Sequence, residues 1–295
     1  MRRIPKIVHY CFGLSSNFGR KPWSLVHHVC VKSAINKIRP ERALLYYEYE
    51  PSGPWWELSK PFFELVKIKA PREVFGRPLK KFAHRADVVR LEKLIEHGGI
   101  YLDCDVLVHR DFDDLLDNSF VISEEGENAD KILGLSNAVM LAEPSSPFAK
   151  RWFQEYRSFR GEIWNEHSIR LPLKLARSFP QEVTVLPHSS FCGPMWYETH
   201  LKAIYEPGQP KIESHAYANH LWETFAWERY LENLTPRHVR TTASNFCEWA
   251  RPLIVDLPDN FGAPSLSKLA YLKVFKQIRH LKRGIGRHLV PKTPS

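Results

Sequence analysis

No apolar run in this 295-residue chain approaches the roughly 20 residues needed to cross a bilayer; uninterrupted stretches such as Ala138–Ala142 are only a few residues long. Behind the basic start Met1-Arg2-Arg3, the apolar stretch is broken by His9 and Gly13, so no signal-peptide core is present and a cytoplasmic location is expected. Five cysteines (Cys11, Cys30, Cys104, Cys192, Cys247) are odd in number, widely spaced and never in a C-x-x-C, which argues against a disulfide framework or a structural zinc site. Neither G-x-G-x-x-G nor G-x-x-x-x-G-K-[ST] occurs, so dinucleotide oxidoreductases and P-loop NTPases lose their usual phosphate cradles. Internal repeats and low-complexity segments are also missing.

Acidic residues stop at Asp259, and eight basic ones follow it: Lys268, Lys273, Lys276, Arg279, Lys282, Arg283, Arg287 and Lys292. The +9 net charge therefore belongs to the tail, and the body, close to neutral, offers no nucleic-acid cleft. In the tail Tyr271, Val274, Ile278, Leu281, Ile285 and Leu289 recur at helical spacing. That pattern predicts a basic amphipathic helix over 268–290 lying on an anionic membrane, with a surface helix on its own domain as the alternative. We expect a catalytic domain over 1–259 and an appendage over 260–295.

Hydrophobic residues at 43% and aromatics at 13% are enough for a sizeable core. Strands are predicted at Lys6–Phe12, Ala43–Tyr49, Phe63–Ile68, Phe120–Ser123, Asn137–Ala142 and Val183–Leu186. Helices are predicted at Trp23–Asn36, Leu79–His97, Ser146–Phe159 and Asn165–Phe179. Such alternation indicates an α/β fold with a mostly parallel sheet.

The run from Gly99 to Val108 is apolar on both sides of Asp103 and Asp105 and reads as one central buried strand. Buried carboxylates are costly unless compensated, and residues two apart in a strand face one side. A hard cation, Mg²⁺ or Mn²⁺, shared with a diphosphate is the natural compensator. Upstream, Asp87 and Arg90 are three apart on the Leu79–His97 helix, which Gly98-Gly99 ends. An exposed ion pair is the plain alternative; beside a metal-bound diphosphate the two are suited to gripping sugar hydroxyls.

Ile4–Phe12, Ala86-Asp87-Val88-Val89-Arg90 and Gly98-Gly99-Ile100-Tyr101-Leu102-Asp103-Cys104-Asp105 together resemble the DXD-containing glycosyltransferases of family 32 and, more distantly, clostridial toxin glucosyltransferase domains. The resemblance implies a GT-A type, Rossmann-like nucleotide-sugar-binding fold with a mixed, mostly parallel central sheet. It also implies sugar transfer from a UDP- or GDP-sugar donor to a saccharide or lipid-linked acceptor, with retention of configuration. By that resemblance Asp105 ligates the metal, Asp103 holds metal water or the ribose, and Asp87, Arg90, Tyr101 and Asn137 meet the donor sugar. His9, Tyr10 and Phe12 border the base. His220 completes the metal shell, and Trp222 and Trp227 cover the diphosphate, in a segment where Ala226 replaces the family's Ser. Ala86 likewise replaces the helix-side Ser.

Departure of a nucleoside diphosphate builds negative charge, which a cation on Asp105 and His220 would neutralise. Front-face attack is favoured over double displacement. The tail points to an acceptor on the inner face of a membrane, with surface polysaccharide or glycolipid synthesis as the setting. Two rivals stand. A metal-dependent phosphohydrolase or nucleotidyltransferase would want a second carboxylate cluster that the sequence lacks. A non-catalytic membrane-surface protein on an inactive transferase scaffold is suggested by the tail and by Ala226.

Overall fold

A computed structural model of the chain describes residues 2–126, 131–212 and 215–263. The basic segment 268–290 lies outside the described residues. A seven-stranded sheet has the order β10-β8-β9-β6-β1-β2-β3. Its strands are β1 (Ile7–Cys11), β2 (Arg42–Tyr47), β3 (Glu64–Lys67), β6 (Gly99–Leu102), β8 (Phe120–Gly126), β9 (Ile132–Ala142) and β10 (Thr184–Leu186). A short hairpin of β4 (Glu73–Val74) and β5 (Arg77–Pro78) lies apart. The pairings β1–β2, β1–β6, β2–β3 and β8–β10 are parallel, whereas β9 runs antiparallel to both β6 and β8. The sheet is therefore mixed and mostly parallel, as expected.

Period-2 alternation along the strands sorts side chains onto two faces. Val8, Tyr10, Ile100, Leu102, Val139 and Leu141 join the core under helix α1 (Leu25–Ile38). Tyr101, Phe120, Ile122, Met140 and Ala142 join the other core, with Leu91 and Leu94 of α3 (Phe82–His97) and Phe148 and Trp152 of α4 (Pro147–Glu155). Helix α2 (Pro54–Ser59) adds the buried Trp55 and Trp56 on the α1 side. Helix α5 (Leu171–Ser178) follows a π-turn at Glu166–Arg170. The C-terminal part carries α6 (Glu198–Tyr205), β11 (Ala218–His220), α7 (Glu223–Ala226), α8 (Pro236–Thr241) and α9 (Asn245–Ala250).

One expectation needs correction. Gly99 to Val108 is not a continuous strand: β6 stops at Leu102, Asp103–Asp105 form a turn, and β7 (Val106–Val108) leaves the main sheet to pair antiparallel with β11. The Val106 N–H closes the turn on the Asp103 carbonyl at 3.0 Å. The two carboxylates thus sit at the carboxyl end of a central strand, where open α/β sheets bind ligands.

The route from α3 into β6 depends on its glycines. Gly98 caps α3 at φ +63, and Gly99 follows at φ +106. A Cβ on Gly99 would lie 2.4 Å from the Ile7 carbonyl oxygen, so the strand can approach β1 only without a side chain there.

Candidate active site

A cavity of about 710 Å³ opens at the carboxyl ends of β1 and β6 and brings together most of the expected residues: Phe12, Asp87, Arg90, Tyr101, Asp103, Asp105, Asn137, His220 and Trp222. His220 comes from 115 positions beyond Asp105 because β11 pairs with β7 in the register His220↔Val106. The ladder continues with the Leu221 N–H on the Asp105 carbonyl at 2.9 Å. One ligand atom each from Asp103, Asp105 and His220 lies within 4.8 Å of the other two.

Asp105 is held by two contacts. Its Oδ2 accepts the backbone N–H of Glu223 at 2.8 Å and lies 3.3 Å from His220 Nε2. Burial opposes ionisation of Asp105, but His220, the Glu223 N–H and Lys21 outweigh it and hold the carboxyl well below the usual range. Burial also opposes charge on His220, and there the facing Asp105 prevails and raises it. The Nδ1 of His220 is buried without a hydrogen-bond partner.

Asp103 is engaged differently. Its Oδ1 accepts the Tyr101 hydroxyl at 2.8 Å and lies 3.2 Å from Arg90 Nη2. Arg90 thus supplies part of the compensation that the sequence reading gave wholly to a cation, leaving Asp105 as the carboxylate without an arginine or lysine in contact. Arg90 also donates to the Asn137 carbonyl at 2.7 Å, stands 3.7 Å from Asp87 and lies over the Tyr101 ring at 4.5 Å. Burial works against the Arg90 charge; Asp103, Tyr101 and Asp87 more than offset it and keep the guanidinium protonated far above neutral pH. Asp87 accepts from Asn137 Nδ2 at 2.8 Å, yet burial prevails over its neighbours and raises its pKa.

A second layer ties the turn to distant segments. Ser24 donates its N–H to His27 Nδ1 at 3.0 Å, so Nε2 carries the hydrogen, and it lies 2.9 Å from Glu223 Oε1. Lys21 donates to the other oxygen of Glu223 at 2.9 Å. Glu223 thereby fixes the start of α7, whose backbone N–H grips Asp105. Trp222, just before α7, adopts φ +54, packs 4.1 Å from the His220 ring and donates its indole N–H to the Pro194 carbonyl at 2.7 Å.

Three expected residues lie elsewhere. His9 is fully buried in β1, with Nε2–H donated to the Gly98 carbonyl at 2.8 Å and Nδ1 accepting from the Tyr46 hydroxyl at 3.0 Å. Burial lowers its pKa to about 4. Tyr10 is buried against Phe63. Trp227 turns into the core, as does Ala226. Because β1 is a central strand covered on both faces, only its exit at Cys11 and Phe12 reaches the cavity.

The cavity also contains residues that the sequence reading missed, among them Lys21, His84, Glu125, Ser136, Trp164, Trp196 and Phe225. Glu125 is buried at the far end of β8, where burial raises its pKa against the pull of His220 and a hydrogen bond from Ser136. An acidic residue continuing the apolar run Phe120–Ile122 was its visible sign.

Comparison with known proteins follows the same lines. Residues 56–122 match the family described as the glycosyltransferase sugar-binding region containing DXD motif. That span includes Asp87, Arg90, Tyr101, Asp103 and Asp105. The chain is 38% identical over 260 residues to Glucan organizing enzyme 1 of Cryptococcus neoformans var. grubii, covering 85% of this chain and 71% of that protein. Among solved structures it is similar to mouse xyloside xylosyltransferase 1 in its apo form (TM-score 0.46, 11% identity, 72% of this chain and 96% of that one). It is also similar to the PaToxG glycosyltransferase (TM-score 0.40, 17% identity, 60% of this chain and 70% of that one).

Proposed function

The chain belongs to the glycosyltransferases whose sugar-binding region contains a DXD motif, and from that premise we propose a metal-dependent transfer of a sugar, with retention, from a UDP- or GDP-sugar to a saccharide or lipid-linked acceptor. The observation that carries this reading is the convergence of Asp103, Asp105 and His220 on one point of the cavity, beside Arg90 and Asp87. Two carboxylates and an imidazole form a donor set suited to Mn²⁺, and Mg²⁺ is the alternative. The buried, unpartnered Nδ1 of His220 and the proximity of its Nε2 to Asp105 fit a cation at this point.

When bound, the cation supplies Lewis-acid neutralisation of the departing diphosphate. Asp105 and His220 would hold it, with Asp103 reaching it directly or through water. The Glu223 N–H keeps the Asp105 carboxylate aimed before any ligand arrives, so little reorganisation is left for the reacting state. Arg90 and Asp87 would grip donor hydroxyls, and Asn137 fixes the Asp87 rotamer. Asp87 and Asp103 are both engaged by Arg90, which makes either a poor nucleophile and favours front-face attack, with the acceptor proton passing to the leaving phosphate oxygen. Trp222 and its neighbour Phe225 would keep water from the donor.

The fungal relative is named for organising glucan, and this supports a surface polysaccharide setting. Placement on the inner face of a membrane rests on the basic pattern of 268–290. Incubating the protein with Mn²⁺ and UDP-, GDP- and ADP-sugars tests the reading. Release of a nucleoside diphosphate and free or transferred sugar is expected. Release of inorganic phosphate, or turnover of none of the three, overturns it.

A further inference from the structure

Once the metal-type trio and the residues around Arg90 are assigned to the donor, one part of the cavity has no role. It is bordered by Trp164, Leu133, Glu125, Ser136, Asn165 and Ser168. Trp164 is 55% exposed, and Ile163 at 46% and Leu133 at 42% are exposed with it. An indole is costly to leave in water without a use, because it is among the largest apolar surfaces available. The ring is nevertheless braced: Lys81 Nζ stands 4.8 Å over it and the His84 ring lies 5.4 Å away. His84 is itself packed edge-on to Phe159 at 5.1 Å and sits one helical turn before Asp87. The platform is therefore built on the same helix that grips the donor.

Opposite chemistry lines the floor. Glu125 and Ser136 come from the adjacent strands β8 and β9, and Asn165 and Ser168 come from the π-turn region. We propose that Trp164 is the stacking face of an acceptor subsite for a pyranose ring, whose hydroxyl edge is received by Glu125, Ser136 and Asn165. A sugar ring has an apolar C–H face and a rim of hydroxyls, and this pairing of an exposed indole with small polar side chains matches both. An acyl chain would meet a buried carboxylate here. A lipid phosphate would find Lys81 as its cation, already placed over the indole. The inference rests on the glycosyltransferase reading and narrows its acceptor to a saccharide.

Nucleoside diphosphate release from the donor is measured with Mn²⁺ and with maltotriose, laminaritriose or mannotriose as probe acceptors. At least one trisaccharide should accelerate release by the wild-type protein. Trp164→Ala should raise the KM for that sugar on the order of tenfold, more than it raises the donor KM, and Trp164→Phe should restore most of the loss. Three results overturn the subsite while leaving the transferase reading intact: no trisaccharide accelerates release, the acceptor KM is unchanged in Trp164→Ala, or both KM values rise equally. Failure of the wild-type protein to turn over any donor removes the transferase reading and the subsite together.

Discussion

Replacing Arg90 by Met keeps the aliphatic stem and removes the charge that three neighbouring groups share. The guanidinium donates to the Asn137 carbonyl at 2.7 Å and stands 3.2 Å from Asp103 and 3.7 Å from Asp87. Its own side chain is 7% exposed and that of Asp87 9%, whereas Asp103 at 26% can recover some hydration. Removing one member of a buried ion pair costs about 3–5 kcal/mol, since the partner stays desolvated. Asp87 can escape part of this by taking up a proton, because burial already raises its pKa. A loss of about 3 kcal/mol is therefore expected for Arg90→Met, or a Tm lower by about 5 °C. Urea denaturation at pH 7, followed by far-ultraviolet circular dichroism, gives the first number. Adding Asp87→Asn to Arg90→Met should return about 1 kcal/mol, because the stranded charge is then gone. A loss under about 1 kcal/mol, or a double variant no better than Arg90→Met alone, would refute the claim that this arginine compensates the cluster.

Other outcomes follow from the same geometry. Burial holds His9 neutral, lowering its pKa from 6.5 to about 4 against the opposing hydrogen bond to Gly98, so the unfolded chain binds a proton there that the folded one refuses. Its contribution is intact above pH 6.5 and is lost as pH falls toward 4; His9→Gln should flatten the decline of unfolding free energy in that window by up to about 1.4 kcal/mol per pH unit, seen in urea titrations at stepped pH. An unchanged slope would show that His9 titrates normally. Glu223→Ala should cost about 2 kcal/mol by stranding Lys21 and His27, and should weaken Mn²⁺ binding by loosening the N–H that aims Asp105; unaltered stability and unaltered metal affinity would contradict the latch. Truncation near Asn260 should abolish sedimentation with anionic vesicles, and full retention would count against a membrane-seeking tail.

Local signals carried the fold and the side of the cavity lined by Asp87, Arg90 and Asp103. The helix ending in Gly98-Gly99 and the strand behind it were legible because periodicity, a C-terminal glycine and a positive-φ junction agree with one another. The break at Asp103–Asp105 was hidden because Val106–Val108 is as apolar as the strand before it, and the sequence has no mark for a strand that changes sheets. His9 and Tyr10 were assigned to the base by resemblance, but parity in a doubly covered strand sends both into protein interior. Pairings across great sequence distance, such as Lys21 with Glu223 or β7 with β11, leave no local pattern at all. Trp164 belongs to this class: it is unremarkable in its own segment and becomes informative only when the cavity places it.

The claim on which the rest depends is that Asp105 and His220 bind a cation together with a nucleoside diphosphate. Thermal unfolding of the wild-type protein and of Asp105→Asn, with UDP or GDP in the presence and absence of Mn²⁺, tests it most directly. Binding raises the unfolding temperature with occupancy, so the account predicts a rise that requires metal and nucleotide together and disappears in Asp105→Asn. A nucleotide-dependent rise of equal size without metal, or one that persists in Asp105→Asn, would contradict it.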